Sequence, residues 1–192
     1  VTLNKLRLNH NSKEWLTAPK LKFVSFQGSN GTYNLGNLFV ENGTVTIDTN
    51  NLPPLLTIFS TGSQYKLHGL DYSGNLTVQS GSDGQELKLT DLRFQVNNLD
   101  KQKISEKNFG LTGLAGKKGE LKAQGTFSLN PVKGVIDLQF SRIPLSLFSK
   151  YYIQKPLLIN SGTVIKGQGK MSFPSWRYTG SLGFNQTAIG FK

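Results

Sequence analysis

Two histidines, His10 and His68, and eleven acidic residues are the groups of this 192-residue chain that could carry acid–base chemistry. Such work needs the groups within hydrogen-bond reach of one another. The histidines are far apart in sequence and lie in polar or turn-like stretches, which reads as surface histidine; His68 and Asp71 flank Gly69-Leu70, itself a turn-like pair. The acids are scattered singly, without the concentrated carboxylates that calcium binding or glycoside cleavage draws on, although folding can pair distant ones. There is no Gly-x-Ser-x-Gly elbow and no His-Glu-x-x-His spacing. The chain has no cysteine, which excludes thiolate nucleophiles, thiolate metal sites and disulfides. Gly110-Leu111-Thr112-Gly113-Leu114-Ala115-Gly116-Lys117-Lys118 has the outline of a phosphate loop. It carries one residue too many between the outer glycines, lacks Ser or Thr after the lysine, and leads into a strand rather than a helix N-terminus. The inventory points to a protein that is not an enzyme and that needs no cofactor or metal.

The formal net charge is +11, and from Leu138 to the end there is no Asp or Glu. Basic surfaces suit nucleic acid or anionic lipid. Nucleic-acid binding also wants aromatic side chains among the basic ones. Here Phe94, Phe127, Phe140, Phe173 and Phe184 fall on the apolar beat of the sequence, while Lys122, Lys166 and Lys170 fall on the polar beat. That separation favours a hydrophobic ligand or core over base stacking, and no nucleic-acid partner is expected. The lysines read as solvated residues that blunt strand edges. Sequons at Asn30, Asn42, Asn75 and Asn185 are what turn-rich sequence generates by chance.

The elements behind this separation are strands. In Leu121-Lys122-Ala123-Gln124-Gly125-Thr126-Phe127-Ser128-Leu129 every odd position is apolar or glycine and every even one polar. Successive strand side chains point to opposite faces, so such a ribbon has one oily and one wet side. The code recurs at Leu87 and Leu89 and, after a phase slip at Asp91-Leu92, at Leu92, Phe94 and Val96. It returns at Ile136, Leu138 and Phe140, at Ile165 to Phe173, and at Tyr178 to Phe184. Stacked ribbons of this kind make one large antiparallel sheet with a continuous apolar face; a closed sandwich or barrel fits the same short strands and glycine turns. Hydrophobic content is 36%, with 21 glycines in addition, and no apolar run is long enough for a membrane helix.

Along the chain, Asn42-Gly43 predicts a hairpin between Tyr33–Val40 and Gly43–Asp48, because Asn-Gly is a strong two-residue turn signal. Leu55–Ser60, Tyr65–Leu70 and Leu76–Gln79 read as short strands. A meander follows over Phe109–Leu114, Gly119–Leu129 and Val135–Phe140. One short helix is expected near 144–153, where Pro144 suits a first turn and Leu145, Leu147, Phe148, Tyr151 and Tyr152 follow at helical spacing. Leu157–Ile159, Thr163–Phe173 and Arg177–Phe184 are again strands. Phe39–Ile47 resembles Leu158–Lys166, which fits either internal repetition or the turn residues that any hairpin repeats. The chain reads as one β-rich segment, 1–192, with less certain strands over 1–36. Its first residue is not methionine and its last residues still read as strand, so a piece of a longer protein is expected, without its targeting segment.

Several stretches, in their order, resemble the AsmA-like superfamily of bacterial envelope proteins, an uncharacterised periplasmic branch related to AsmA, TamB and YhdP. They are Leu87 to Leu99, Gly119 to Pro131 with its G-x-L-x-A-x-G-x-F-x-L-N-P pattern, Ile136 to Leu145 with the Tyr-rich segment after it, and Ile159 to Gly169. The resemblance covers about residues 37–190. It implies a mainly β fold: a large bent antiparallel sheet, taco-like, whose concave side is a hydrophobic groove. It implies a non-enzymatic role in lipid transport, with phospholipid acyl chains shielded in that groove between inner and outer membranes. It implies a location in the periplasm of a Gram-negative-type bacterium, with an inner-membrane anchor outside these residues. The expected lipid-groove residues are Leu121, Phe127, Leu138, Phe140, Ile165, Met171, Phe173, Leu182 and Phe184. Expected partners are a phospholipid or other acyl-chain lipid, neighbouring β-segments of the same long chain, and outer-membrane proteins. Glycines on the apolar beat, Gly125, Gly167, Gly169 and Gly180, would let such a sheet curl. The high positive charge departs from the family's habit. The alternatives are a scaffold for outer-membrane protein assembly by strand addition, and a closed β-sandwich binding module.

Overall fold

In the computed structural model the described residues are 1–10, 12–25, 27–29, 32–48, 65–80, 85–99, 108–129, 132–144, 157–173, 175 and 177–191. They form one large, open, bent sheet of eleven strands. The strands are β1 (Thr2–His10), β2 (Lys13–Val24), β3 (Gln27–Ser29), β4 (Thr32–Asp48), β5 (Tyr65–Ser80) and β6 (Gln85–Asn97). Then come β7 (Asn108–Ala115), β8 (Gly119–Leu129), β9 (Val132–Pro144), β10 (Leu157–Phe173) and β11 (Arg177–Phe191). Neighbours in sequence are neighbours in space, except that the short β3 pairs beside β4, off the main path. Every pairing is antiparallel but one: β4 and β5 run parallel. There is no helix among the described residues. Of the expected helix, Pro144 is instead the last residue of β9, and 145–153 lie outside the described residues, as does the expected strand over 55–60.

Three strands are longer than the sequence suggests, because each runs on through a residue of unusual φ. The expected hairpin at Asn42-Gly43 does not form; β4 runs straight through it for 17 residues. A two-residue hairpin of this type needs positive φ at both central residues. Asn42 alone has it, at 53°, so the backbone makes a bulge and continues in the same direction. Gly74, at φ 151°, joins the expected Tyr65–Leu70 and Leu76–Gln79 into β5 without an extra residue of its own; the extra residues lie opposite it, in β4 and β6. Gly162, at φ 136°, joins Leu157–Ile159 to Thr163–Phe173 in β10. The resembling segments Phe39–Ile47 and Leu158–Lys166 thus share a bulge. The phase slip read at Asp91-Leu92 is a bulge too, with Asp91 at φ 49°.

At a bulge, two consecutive side chains take the same face and the alternation resumes with the opposite beat. Thr90 and Asp91 are both exposed, while Leu89 and Leu92 on either side are buried. Glu41 and Asn42 are both exposed between buried Val40 and Gly43. Ser141 and Arg142 both reach Glu120, and Ile143 turns back to the apolar side, 2% exposed. The registers set Lys5 in β1, Asn42 in β4, Gly74 in β5 and Asp91 in β6 abreast of one another, with Arg142 slightly offset in β9. Bulges bend the strand that carries them, so a line of them across adjacent strands creases the sheet.

The core lies along this crease. Leu16, Ala18, Leu21, Val40, Tyr72, Leu89, Leu92, Ala115, Ile143 and Val164 form one buried cluster, with Leu38, Val45, Leu70, Phe94, Leu121 and Phe140 packed against it. All come from the apolar face of a single sheet. Close backbone approach is needed where the parallel pair crosses the crease: a Cβ on Gly43 would stand 2.7 Å from the Tyr72 ring. The opposite face is polar, and cross-strand ion pairs such as Lys20–Glu41 and Lys170–Asp137 decorate it.

Candidate apolar binding face

Residues directly opposite across a ladder share a face, so the registers place the expected groove residues row by row. Leu121, Phe140, Gly167 and Leu182 form one row over β8 to β11. Ala123, Leu138, Gly169 and Gly180 form the next. Gly125, Ile136 and Met171 follow, then Phe127 and Gly134. Phe184 pairs with buried Val164. Seven of the nine, Leu121, Phe127, Leu138, Phe140, Met171, Leu182 and Phe184, therefore fall on the apolar face, and the side chain of Phe173 lies outside the described residues. Ile165 is placed differently. The β10–β11 register steps past it, and at 48% exposed it lines an open recess on the polar face with Glu120, Lys122, Gln139 and Lys166. A bulge reverses the beat, and strict alternation from Gly167 back to Ile165 does not register that. The polar beat places Lys122, Lys166 and Lys170 as expected: all three are exposed.

The apolar face changes character across the sheet. Near the crease it is sealed by its own side chains. Toward β9–β11 it opens: Leu121, Phe127, Leu138, Phe140 and Met171 are half-buried, and Leu182 and Phe184 are 44% and 49% exposed. Among the described residues no large side chain is fully buried. The floor is shaped by glycine. Gly167 leaves room for the Phe140 ring, and Gly169 faces Gly180 across the ladder with no side chain on either.

Two aromatic rings that the expected set omits, Phe94 and Phe109, belong to the same face and reach the expected Phe127. Phe94, Phe109 and Phe127 run across β6, β7 and β8 with ring centroids 6.2 and 6.1 Å apart. Phe109 sits in an apolar-beat run, Phe109-x-Leu111-x-Gly113, broken only by glycine, and that beat was the available signal.

Among the described residues, Tyr72 is the apolar-face residue with a strongly perturbed ionisation. Burial pushes its hydroxyl pKa up to about 12, partly offset by backbone hydrogen bonding at Asn75 and Val45. Its hydroxyl donates to the Asn75 carbonyl at 2.7 Å. A neutral phenol satisfied by backbone is a structural clasp at the crease. No grouping of three or more His, Asp or Glu that could hold a metal occurs among the described residues, and no helix among them is long and apolar enough to cross a membrane.

Comparison with known proteins finds no matching family model, no matching curated protein and no matching solved structure.

Proposed function

We propose that this chain is a non-enzymatic segment that carries acyl-chain lipid along the apolar face of its sheet. The observation behind the reading is the open part of that face. Large apolar side chains on β8, β9 and β10 share this face with glycines, and Leu182 and Phe184 on β11 are about half exposed. Contiguous exposed apolar surface is what marks ligand and membrane interaction sites. A hydrocarbon chain needs dispersion contacts and exclusion of water, not catalytic groups, and these rows offer both. The resemblance to AsmA-like envelope proteins supports the same reading. On it, the bend closes the apolar face into a groove, and the segment works in the periplasm between inner and outer membranes, with phospholipid as its cargo.

The experiment is native mass spectrometry of the purified protein, with extraction of the bound material. Wild-type protein is expected to carry phospholipid or fatty-acid adducts. Phe127→Asp should keep its circular dichroism and lose the adducts, because a carboxylate on an open face stays hydrated. If the face were a sealed core, the same carboxylate would be buried unpaired at a cost comparable with the whole stability of the domain, and the variant would unfold. Wild-type protein free of lipid, together with unfolding of Phe127→Asp, would contradict the proposal.

A further inference from the structure

We infer that the polar face of the sheet holds a linear acidic polysaccharide, laid across the strands in a trough that runs from β5 to β10. The registers line up Ser73, Arg93, Thr112, Lys122, Gln139 and Gln168, one from each of these six strands, as a single cross-strand row. Residues directly opposite across a ladder share a face. Five of the six are exposed, and Ser73 is half-buried. The same residues line two open recesses, of about 840 and 520 Å³, which meet at Thr112 and Lys122. The two recesses thus form one trough at right angles to the strands. Gly110 on β7 helps to keep it open. It pairs with Gln95 and Gln124 on this face, and a Cβ there would meet nothing within 4 Å.

The chemistry of the row suits hydroxyls and carboxylates together. It offers cations, hydroxyls and side-chain amides, and it contains no acid. Arg93 and Lys122 join none of the ion pairs among the described residues, whereas Arg142 and Lys170 near them are held by Glu120 and Asp137. The guanidinium of Arg93 can take a carboxylate with two parallel hydrogen bonds. Amides and hydroxyls both donate and accept, as sugar hydroxyls do. Asp71 and Asp91, at the margins of the trough, add acceptors for those hydroxyls. Neighbouring strands lie about 4.8 Å apart, close to the advance of one pyranose unit along a linear glycan, so each strand meets one sugar with one polar side chain. No aromatic side chain belongs to the row, so stacked bases of single-stranded nucleic acid find no platform. A trough admits a chain, while a bilayer surface is broad and flat. The formal charge of +11 draws a polyanion toward the protein.

Isothermal titration calorimetry with alginate oligosaccharides, which are linear and carboxylated, tests this. Wild-type protein is expected to bind them and to leave neutral cello-oligosaccharides unbound. Lys122→Gln should weaken binding about tenfold, the loss of one charge-assisted hydrogen bond. Lys22→Gln removes the same charge from an exposed site on β2 and should leave binding unchanged. Gly110→Ile fills the trough with no change of charge, at a residue without positive φ, and should also weaken binding. Circular dichroism checks that each variant keeps the sheet. No binding of alginate by the wild type, equal weakening by Lys22→Gln and Lys122→Gln, or full binding by Gly110→Ile overturns the inference. Equal binding of cello-oligosaccharides overturns the acidic class of ligand. Binding of oligo-deoxythymidine as tight as that of alginate, or binding of phosphatidylglycerol vesicles that Lys122→Gln weakens, makes the face a general anion surface and overturns the inference too. The trough lies on the face opposite the apolar one, so none of these outcomes bears on lipid carriage.

Discussion

The ring of Phe140 on β9 occupies the space where a Cβ on Gly167 would stand, directly across the β9–β10 ladder. Three ring carbons crowd that position. The glycine is therefore a packing requirement of the apolar face, independent of any need for unusual φ. Gly167→Ala should destabilise the protein by about 1–3 kcal/mol, the usual cost of overpacking. Phe140→Leu in the same chain should recover part of that loss, since the two sites are in contact and their effects are coupled. Urea denaturation of the four proteins of the cycle measures this. Strict additivity would show that the ring and the glycine do not meet.

Asn42 tests the crease. Its φ of 53° is a conformation that β-branched side chains resist and glycine accepts. Asn42→Val should cost about 1–2 kcal/mol, the penalty of holding such a residue left-handed. Asn42→Gly should be close to neutral. Equal stability of the valine and glycine variants, read from thermal unfolding, would mean that the strand passes this point without a bulge.

The strand content and the polar and apolar faces were legible because period-two alternation is a direct consequence of strand geometry. Leu121 to Leu129 is β8 almost residue for residue, and Lys122, Lys166 and Lys170 are exposed as their beat requires. The bulges were harder. Asp91-Leu92 announced itself as a phase slip because apolar residues flank it on both sides. Asn42-Gly43 has the composition of both a hairpin turn and a bulge, and only the φ of Gly43 separates them. Ile165 followed from the same blindness, since a beat counted through a bulge assigns the wrong face. The parallel pairing of β4 with β5 had no local signal at all: direction is set by the path between strands, and alternation looks the same either way.

Tyr72 gives the protein a specific alkaline weakness. Its hydroxyl pKa is pushed up from 10.0 to about 12 in the folded state. In the unfolded chain the phenol ionises near its ordinary value, so between about pH 10 and about 12 the unfolded state has lost a proton that the folded state still holds. The stability contributed by the buried phenol is fully present below pH 10 and is lost as pH rises through that window. Tyr72→Phe should remove this loss while leaving the Asn75 carbonyl without its donor. Stability of the two proteins measured from pH 8 to 12 should therefore converge at the alkaline end. A constant difference across the window would show that the Tyr72 hydroxyl is not buried.

The most direct test of lipid carriage is site-specific photo-crosslinking in bacterial cells. A photoreactive residue is placed in turn at Phe127, Leu138 and Leu182 on the apolar face, with Lys122 on the polar face as the reference position. Phospholipid adducts are expected at the three apolar positions and none at Lys122. Absence of lipid adducts at all three positions in folded protein, or equal labelling of both faces, would contradict it.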